Sequence, residues 1–447
     1  MRPGSFVTEC ENPVPVVAQT DVLVVGAGPA GIAAAVSAAR CGAKVCLIEA
    51  NGCLGGVWTA GLLTWMFEMN QPGIPREITW RLGQRGARIA GHDPSMYTYD
   101  IEEMKLLLEE LCAAANVRFQ LHTRARSCIM ADGAIEAVVT ESKSGAQAWR
   151  ARVFVDATGD GDLAAQAGCG FDLGKDASGT CQPMTYMALV TVGDLDAASP
   201  FICFKEGGEQ YLHKTVNYRA VQAFRSEIRR AGIDPSYSQT KLFQVRDNLM
   251  ALMVNHEYGV SALDAADLTR ATVQGRAEVH RIVKALRQLG GVWERLQLVA
   301  TCEHIGIREG RRIHGLYTVT QADLASGRVH DDAVCRVHFG IDIHSTHGGV
   351  SKGQDVAARG ATMQPYDIPM RALVARDVSN LMMGGRCISG DFIAHSSYRV
   401  TGTAAATGQA AGAAAALCTG LRLAPGHLKW PDIKMQLDVL TNKENLA

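Results

Sequence analysis

Apolar and polar positions divide the chain into three stretches of different texture. Near the start, Asp21–Val25 is a short apolar run, the pattern of a strand buried on both faces. A glycine turn over Gly26–Gly31 follows, then an Ala-rich helix over Ile32–Arg40 and a second strand over Lys44–Glu49. That order predicts a βαβ unit opening a parallel sheet. Met104, Leu107, Leu108 and Leu111 recur at helical spacing and predict a helix over Ile101–Ala115. Val117–Leu121, Gly133–Thr140 and Ala148–Arg152 read as a small antiparallel layer, with Val153–Ala157 as a further buried strand.

From about Asp172 to Pro365 helical segments (Val221–Ala231, Arg270–Leu289) mix with strands and loops, and no second glycine-rich turn occurs. After Ile368 the α/β texture returns, with a strand at Leu381–Met383 and a long helix of small residues over Thr401–Leu417, ended by Gly420. The fold class expected is α/β. It combines a Rossmann-like nucleotide-binding domain, built from 15–171 and 366–425, with an inserted α+β substrate domain over 172–365 and a C-terminal extension over 426–447.

Composition narrows the function classes. A net charge of −1 over 447 residues gives no electrostatic footprint for nucleic acid or an anionic membrane. No strongly apolar window of spanning length occurs, and Val400–Cys418 is mostly Ala, Gly and Thr with Gln409 inside it. Gly408 and Gly412 in that window would let another backbone approach closely. The first twenty residues lack a basic start followed by an apolar run, so a cytoplasmic protein is expected. The thirteen cysteines then read as reduced thiols, and without any CxxC neither a redox pair nor a zinc ribbon is indicated.

The chemistry begins at Gly26-x-Gly28-x-x-Gly31, which follows a strand and opens a helix. The first glycine permits the tight turn, the second lets backbone reach a pyrophosphate, and the third lets helix pack on strand. Pro29 and Ala30 complete the helix start, whose N–H groups and dipole favour phosphate. Glu49 ends the second strand, where an acid accepts hydrogen bonds from ribose hydroxyls.

Several stretches carry a family resemblance: VLVVGAGPAGIAAAVSAAR, LGGVWTAGLLT, VDATGDGDLAAQAG, IGIREGRRIHGLY, YDIPMRALV, NLMMGGRCIS and HSSYRVTGTAAATGQAAGAAAAL. They run from Val22 to Leu417 and resemble the FAD-dependent oxidoreductases of the glutathione-reductase-like superfamily, on the side of the fumarate reductase branch. The resemblance implies FAD as cofactor. It places Gly55 and Gly56 as a second glycine pair and Trp58 and Thr59 beside the flavin. It sets Ala157, Thr158, Gly159 and Asp160 near adenine and pyrophosphate. Gly385, Arg386, Asp391, Thr401 and Gly402 would hold the ribityl chain and the flavin ring. The redox cysteine pair of the disulfide reductases is missing from Val57–Gly61.

Flavin enzymes ask of the protein mainly substrate orientation and a proton donor or acceptor. His395 and Arg399, four apart before the last helix, are similar to the substrate-side His-x-x-x-Arg segment of fumarate reductases, where the Arg binds a carboxylate. An unperturbed His395 would exchange a proton near pH 6.5. Asp342 and His344 form a second candidate pair on one side of an extended segment, with His338 and His347 nearby in a spacing that fits no standard zinc pattern. Arg308-Glu309-Gly310-Arg311-Arg312 reads as a solvated or salt-bridged face, with one Arg able to reach an anionic substrate. The expected activity is hydride transfer between flavin N5 and a small polar substrate bearing a carboxylate or hydroxyl. The alternatives are a fumarate-reductase-like dicarboxylate enzyme and a tRNA-modification-type flavoprotein. The expected partners are that substrate and an electron acceptor of unassigned class, with no metal, no nucleic acid, no membrane span, and a homo-oligomer open.

Overall fold

The computed structural model describes residues 13–90, 95–203, 209–211, 214–348 and 361–442. Most of the first twenty residues, read above for an export signal, lie outside that set.

The opening βαβ unit forms as its sequence predicts, with each element shifted at its ends. Strand β1 spans Val16–Val25, helix α1 Pro29–Arg40 and strand β2 Val45–Ile48. Pro29 stands in the first turn of α1, where its missing N–H costs nothing. Helix α2, Ile101–Ala114, is capped by the Asp100 carboxylate and buries Met104, Leu107, Leu108 and Leu111. Strands β3 (Arg118–Gln120), β4 (Arg124–Ala131), β5 (Ala134–Ser142) and β6 (Gly145–Asp156) follow.

These strands make one sheet in the order β3-β2-β1-β6-β5-β4. Strands β1, β2, β3 and the end of β6 run parallel, while β4, β5 and the start of β6 form an antiparallel meander. Two expectations are corrected here. Val117–Leu121 is the parallel edge strand beside β2, outside the antiparallel layer. Ala148–Arg152 and Val153–Ala157 belong to one twelve-residue strand, β6, because β1 pairs along it from Ala148 to Asp156.

A second, antiparallel sheet of four strands is built from β7 (Ala188–Thr191), β8 (Lys241–Arg246), β9 (Leu249–Met253) and β10 (Gln297–Thr301), in the order β8-β9-β7-β10. Helices α3 (Tyr218–Arg230) and α4 (Ala265–Leu289) complete this unit. Its apolar core draws on Met184 to Ile307, joined by Leu62, Trp65, Met96 and Ile101. From Ile313 onward the buried apolar residues belong to the first core. As a packing unit the insert is therefore narrower than the expected 172–365.

Strand β11 (Leu381–Met383) returns to the main sheet, parallel to β6. A short helix α5 (Phe392–Tyr398) and the long α6 (Thr401–Leu421) follow. Gly420 does not end α6: the helix runs through it and stops at Arg422, which takes the left-handed conformation at φ 56°. Almost the whole of α6 is buried, so its small side chains are a packing requirement. Among the described residues no helix is long and apolar enough to cross a membrane.

Candidate functional site

The glycines of the first turn each do a different job. A Cβ on Gly26, at φ +93°, would lie 2.5 Å from the Ala157 carbonyl oxygen, and one on Gly31 would lie 1.7 Å from the Gly26 carbonyl oxygen. Both positions exclude a side chain because strand β6 and helix α1 close on them. A Cβ on Gly28 meets nothing within 4 Å, so its backbone faces open space at the start of α1. Close packing at the first and third glycines with free space at the second is what a bound pyrophosphate requires.

The other segments close around this turn. The Gly55 N–H donates to the Ala27 carbonyl at 2.7 Å, and Gly56 approaches Gly28 so closely that a Cβ would lie 3.0 Å from its Cα. Glu49 is buried and its Oε2 accepts the Ala27 N–H at 2.7 Å, while Oε1 takes the Asn51 N–H and side-chain amide. Burial raises the Glu49 carboxyl above its usual range, opposed by these hydrogen bonds from Asn51 and Ala27. Asp156, pushed up to about 6 by burial, accepts from the Thr158 N–H and hydroxyl and from Ala164 N–H, and so shapes the turn that carries Gly159 and Asp160. Arg386 lies over Gly159 and pairs with Asp160 at 2.7 Å. Gly385, at φ +86°, donates its N–H to the Thr407 hydroxyl and packs against Ala30.

Helix α6 lies against α1, with Gly408 facing Ala30 and Gly412 facing Ala34, each so close that a Cβ would sit 2.1 Å from a carbonyl oxygen. The pairing of the two helices runs in the same direction. Thr401, seven residues before Gly408, therefore lies about 10 Å beyond the start of α1 along the axis. Gly402 packs on the backbone of Phe67 and Glu68 and donates its N–H to the Phe67 carbonyl at 3.0 Å.

FAD fits this frame. Besides the open face of Gly28, buried donors stand without a hydrogen-bond partner among the described residues: Trp58 Nε1, Arg386 Nε, Thr401 Oγ1 and Thr403 Oγ1. Unmet buried donors are rare in folded proteins and signal a missing partner. Two of the expected cofactor contacts also have protein partners. The Thr59 hydroxyl donates to the Leu54 carbonyl at 2.5 Å. Both Asp391 carboxylate oxygens accept backbone N–H groups, from Ala394 at the start of α5 and from Gln321, so this acid serves as a helix cap.

The expected catalytic residues separate into His395, enclosed within α5, and a group of Arg399, Asp342 and His344. His395 lies inside α5, fully buried, and neither ring nitrogen makes a well-formed hydrogen bond among the described residues. Burial holds its imidazole well below the ordinary range, reinforced by Arg312, Arg399 and Arg386. These surroundings favour the neutral ring over the proton exchange near pH 6.5 expected of an unperturbed imidazole. Arg399 is partly accessible, donates to the Asp342 carbonyl at 2.8 Å and lies 4.0 Å from the Asp342 carboxylate. His344 Nε2 stands 3.4 Å from the same carboxylate, as the extended spacing suggested. The His338 N–H donates to Glu68 and His347 contacts Thr346, and no metal-binding group of three ligands occurs among the described residues.

Of the two readings of the charged run 308–312, the salt-bridged one holds for Glu309, Arg311 and Arg312, and the run is largely buried. Arg312 and Glu309 form a buried ion pair at 2.7 Å, Arg311 bridges the Asp160 carbonyl and Asp162, and Arg308 donates to the Pro183 carbonyl at 2.7 Å, near enough to Arg399 and Asp342 for their charges to act on it. Sequence reasoning missed the residues Arg308 meets there. Lys241 opens β8 opposite Met253, the last residue of β9, so Tyr237 and His256 leave the same end of one hairpin. Their rings stack with centroids 3.8 Å apart, and Lys241 Nζ donates to the Tyr237 hydroxyl at 3.1 Å. Burial pushes Lys241 down to about 8, and it pushes His344 down to about 3 with Arg308 adding to the effect.

A glycine turn between parallel strands and a helix, a second glycine pair docked on it, and a late strand and helix returning to the same place define a dinucleotide-binding enzyme of the flavoprotein type. The family comparison agrees. The model described as FAD dependent oxidoreductase matches residues 21–437, and the chain belongs to that family. Its cofactor is FAD. No curated protein matches the chain significantly. Among solved structures it is similar to a geranylgeranyl bacteriochlorophyll reductase-like protein from Thermoplasma acidophilum. That match has 12% identity and a TM-score of 0.46, covering 95% of this chain and 84% of the other. It is also similar to the myxobacterial chondrochloren halogenase CndH, at 10% identity and a TM-score of 0.46, covering 96% and 80%. A third match is p-nitrophenol 4-monooxygenase from Pseudomonas putida, at 12% identity and a TM-score of 0.40, covering 67% and 70%. Likeness this distant says nothing about the reaction of this chain.

Proposed function

We propose that the protein moves a hydride between a small polar, carboxylate- or hydroxyl-bearing substrate and FAD, with the substrate seated at Arg399, Asp342 and His344. FAD supplies the two-electron chemistry at its N5 atom. The observation that carries the reading is Arg399. It is a partly accessible guanidinium fixed on the Asp342 carbonyl, with its Nε unmet among the described residues, placed two residues before the first residue of α6, the end that projects past the nucleotide turn. A fixed planar fork of this kind binds a carboxylate or steadies a developing oxyanion.

In this reading Asp342 orients Arg399 and His344 together. His395 serves as a neutral, enclosed support beside Arg386 and Arg399. Trp58, Thr401 and Thr403 offer their free donors to the cofactor, and Gly26, Gly28, Gly31 and Glu49 hold its nucleotide half. The resemblance to the fumarate reductase branch keeps a dicarboxylate substrate as a second reading, favoured by the additional cation Arg308 beside Arg399.

The test is anaerobic bleaching of the flavin by a panel of hydroxy acids, dicarboxylates, amines and NAD(P)H, repeated with Arg399→Lys. The variant keeps the charge and loses the fork. Substrate bleaching slowed by roughly 10-fold or more, the worth of a charge-assisted hydrogen bond, is expected with FAD content unchanged. Bleaching at the wild-type rate removes Arg399 from the site.

A further inference from the structure

The polar cluster where the second sheet meets the first domain has a definite pattern of charge and hydrogen-bond valence. Arg308 is pushed down to about 10 by burial and then by the neighbouring charge of Arg399. Lys241 is a third cation nearby; among the described residues Asp342 faces these cations, Glu309 is committed to Arg312, and Glu278 and Glu257 act on the Tyr258 side, with Glu278 accepting from Ser236. The cluster thus carries surplus positive charge in a poorly solvated place, a costly state unless an anion joins it.

The two histidines add a second requirement. The Tyr258 hydroxyl gives its only proton to the Ser236 carbonyl at 3.1 Å, so toward His256 Nδ1, 3.2 Å away, it acts as acceptor. Nδ1 of the neutral His256 ring therefore carries the proton and Nε2 is a bare lone pair. In His344, Nε2 faces the Asp342 carboxylate and carries the proton, which leaves Nδ1 bare. Both bare nitrogens are buried and without a partner among the described residues, and the two rings meet edge to face with centroids 4.9 Å apart. Two buried acceptors call for a ligand that brings hydrogen-bond donors.

We infer that this cluster is a substrate subsite selecting a small hydroxy acid, whose carboxylate is held by Arg308 together with Arg399 and whose hydroxyl donates to His256 Nε2 or His344 Nδ1. The inference rests on the hydride-transfer reading above and adds the substrate class to it. An amino acid would also bring donors, but its ammonium would add charge to a cluster already positive. A plain carboxylic acid would leave both imidazole lone pairs unmet. Arg308, His256 and Tyr258 are then specificity residues supplied by the inserted unit and the loop after it, with the His256 ring held against Tyr237.

Binding to the FAD-loaded enzyme tests this directly through the change in flavin absorbance. Two matched series serve as probes: lactate, propionate, lactamide and alanine, and mandelate, phenylacetate, mandelamide and phenylglycine. In at least one series the hydroxy acid binds most tightly, the amide and the deoxy acid each weaker by roughly 10-fold, as expected for one charge-assisted and one buried hydrogen bond. Arg308→Met abolishes the preference for acid over amide, and Arg308→Lys restores part of it. His256→Phe abolishes the preference for hydroxy acid over deoxy acid and keeps that for acid over amide. Bound FAD with no perturbation by either hydroxy acid, or with equal affinity for acid and amide, overturns the subsite while leaving the flavoenzyme reading intact. Failure of the purified protein to hold FAD overturns that earlier reading instead.

Discussion

Helix α6 gives a sharp test because two of its glycines differ only in what surrounds them. Gly408 packs on the backbone of Ala30 at the start of α1, and a Cβ there would lie 2.1 Å from the Ala30 carbonyl oxygen and 2.6 Å from its Cα. Gly420 is exposed near the other end of the same helix, and a Cβ there meets nothing within 4 Å. Alanine favours a helix over glycine by about 1 kcal/mol. At Gly420 nothing opposes that gain, although fraying of the last turn shrinks it to a few tenths of a kcal/mol or somewhat more. At Gly408 the contacted atoms are backbone, so one helix must move, and forcing extra volume into a close-packed core costs typically 1–3 kcal/mol. The net expectation is destabilisation by about 1–2 kcal/mol for Gly408→Ala and slight stabilisation for Gly420→Ala.

The functional consequence is larger than the stability change suggests. Ala30 is the second residue of α1, next to the open face of Gly28, so a displaced α1 moves the N–H groups offered to the pyrophosphate. FAD affinity should therefore fall in Gly408→Ala and stay unchanged in Gly420→Ala. Urea unfolding of the FAD-free proteins and flavin-fluorescence titration of both variants measure the two effects separately. Wild-type stability together with wild-type FAD affinity in Gly408→Ala would refute the argument that α6 positions the nucleotide turn.

Two further outcomes follow from buried acids. Glu49→Ala strands three donors, Ala27 N–H and the two of Asn51, and should cost about 1–3 kcal/mol with weaker FAD retention, read as the flavin-to-protein ratio after desalting. Glu257 is pushed up to about 7 by burial and then by Glu278. Its folded proton affinity exceeds the unfolded one, so its contribution is full below about pH 4.5 and is lost as pH rises through about 7. Glu257→Gln should remove that decline and raise stability at pH 8 relative to wild type by roughly 1–3 kcal/mol. Denaturation midpoints measured from pH 4 to 8 check it, and parallel curves for the two proteins would contradict it.

The nucleotide half was legible because its constraints are local. A turn that needs three glycines, a strand before it, a helix after it and an acid at the next strand end all lie within Asp21–Glu49, and hydrophobic period and residue type report them directly. Misreadings arose where pairing partners are distant. Val117–Leu121 has the same apolar character whether its neighbour is β2 or β4, and only the fold makes it a parallel edge. Gly420 looks like a helix stop by composition, yet the stop falls two residues later on Arg422, since buried packing upstream carries α6 past it.

The substrate side was hidden for a different reason: its residues have no shared motif. Arg308, Arg311 and Arg312 sit within five positions and go to three places. One is held by the Pro183 carbonyl within electrostatic reach of Arg399 and Asp342, one ties Asp160 to Asp162, and one is buried against Glu309. Nothing in a run of like charges says how it will be divided, because the division depends on which carboxylates and carbonyls arrive from elsewhere. Lys241 shows the same dependence more plainly. A lysine at the first position of an edge strand ordinarily turns to solvent. Here the hairpin end is covered, its ammonium is held by the Tyr237 hydroxyl and the Gln239 carbonyl, and burial lowers its proton affinity. A cation accepts such a setting only if the surroundings supply polar partners and countercharge. The stacked Tyr237 and His256 rings, the Asp342–His344 pair and the two arginines are therefore best understood as one electrostatic unit.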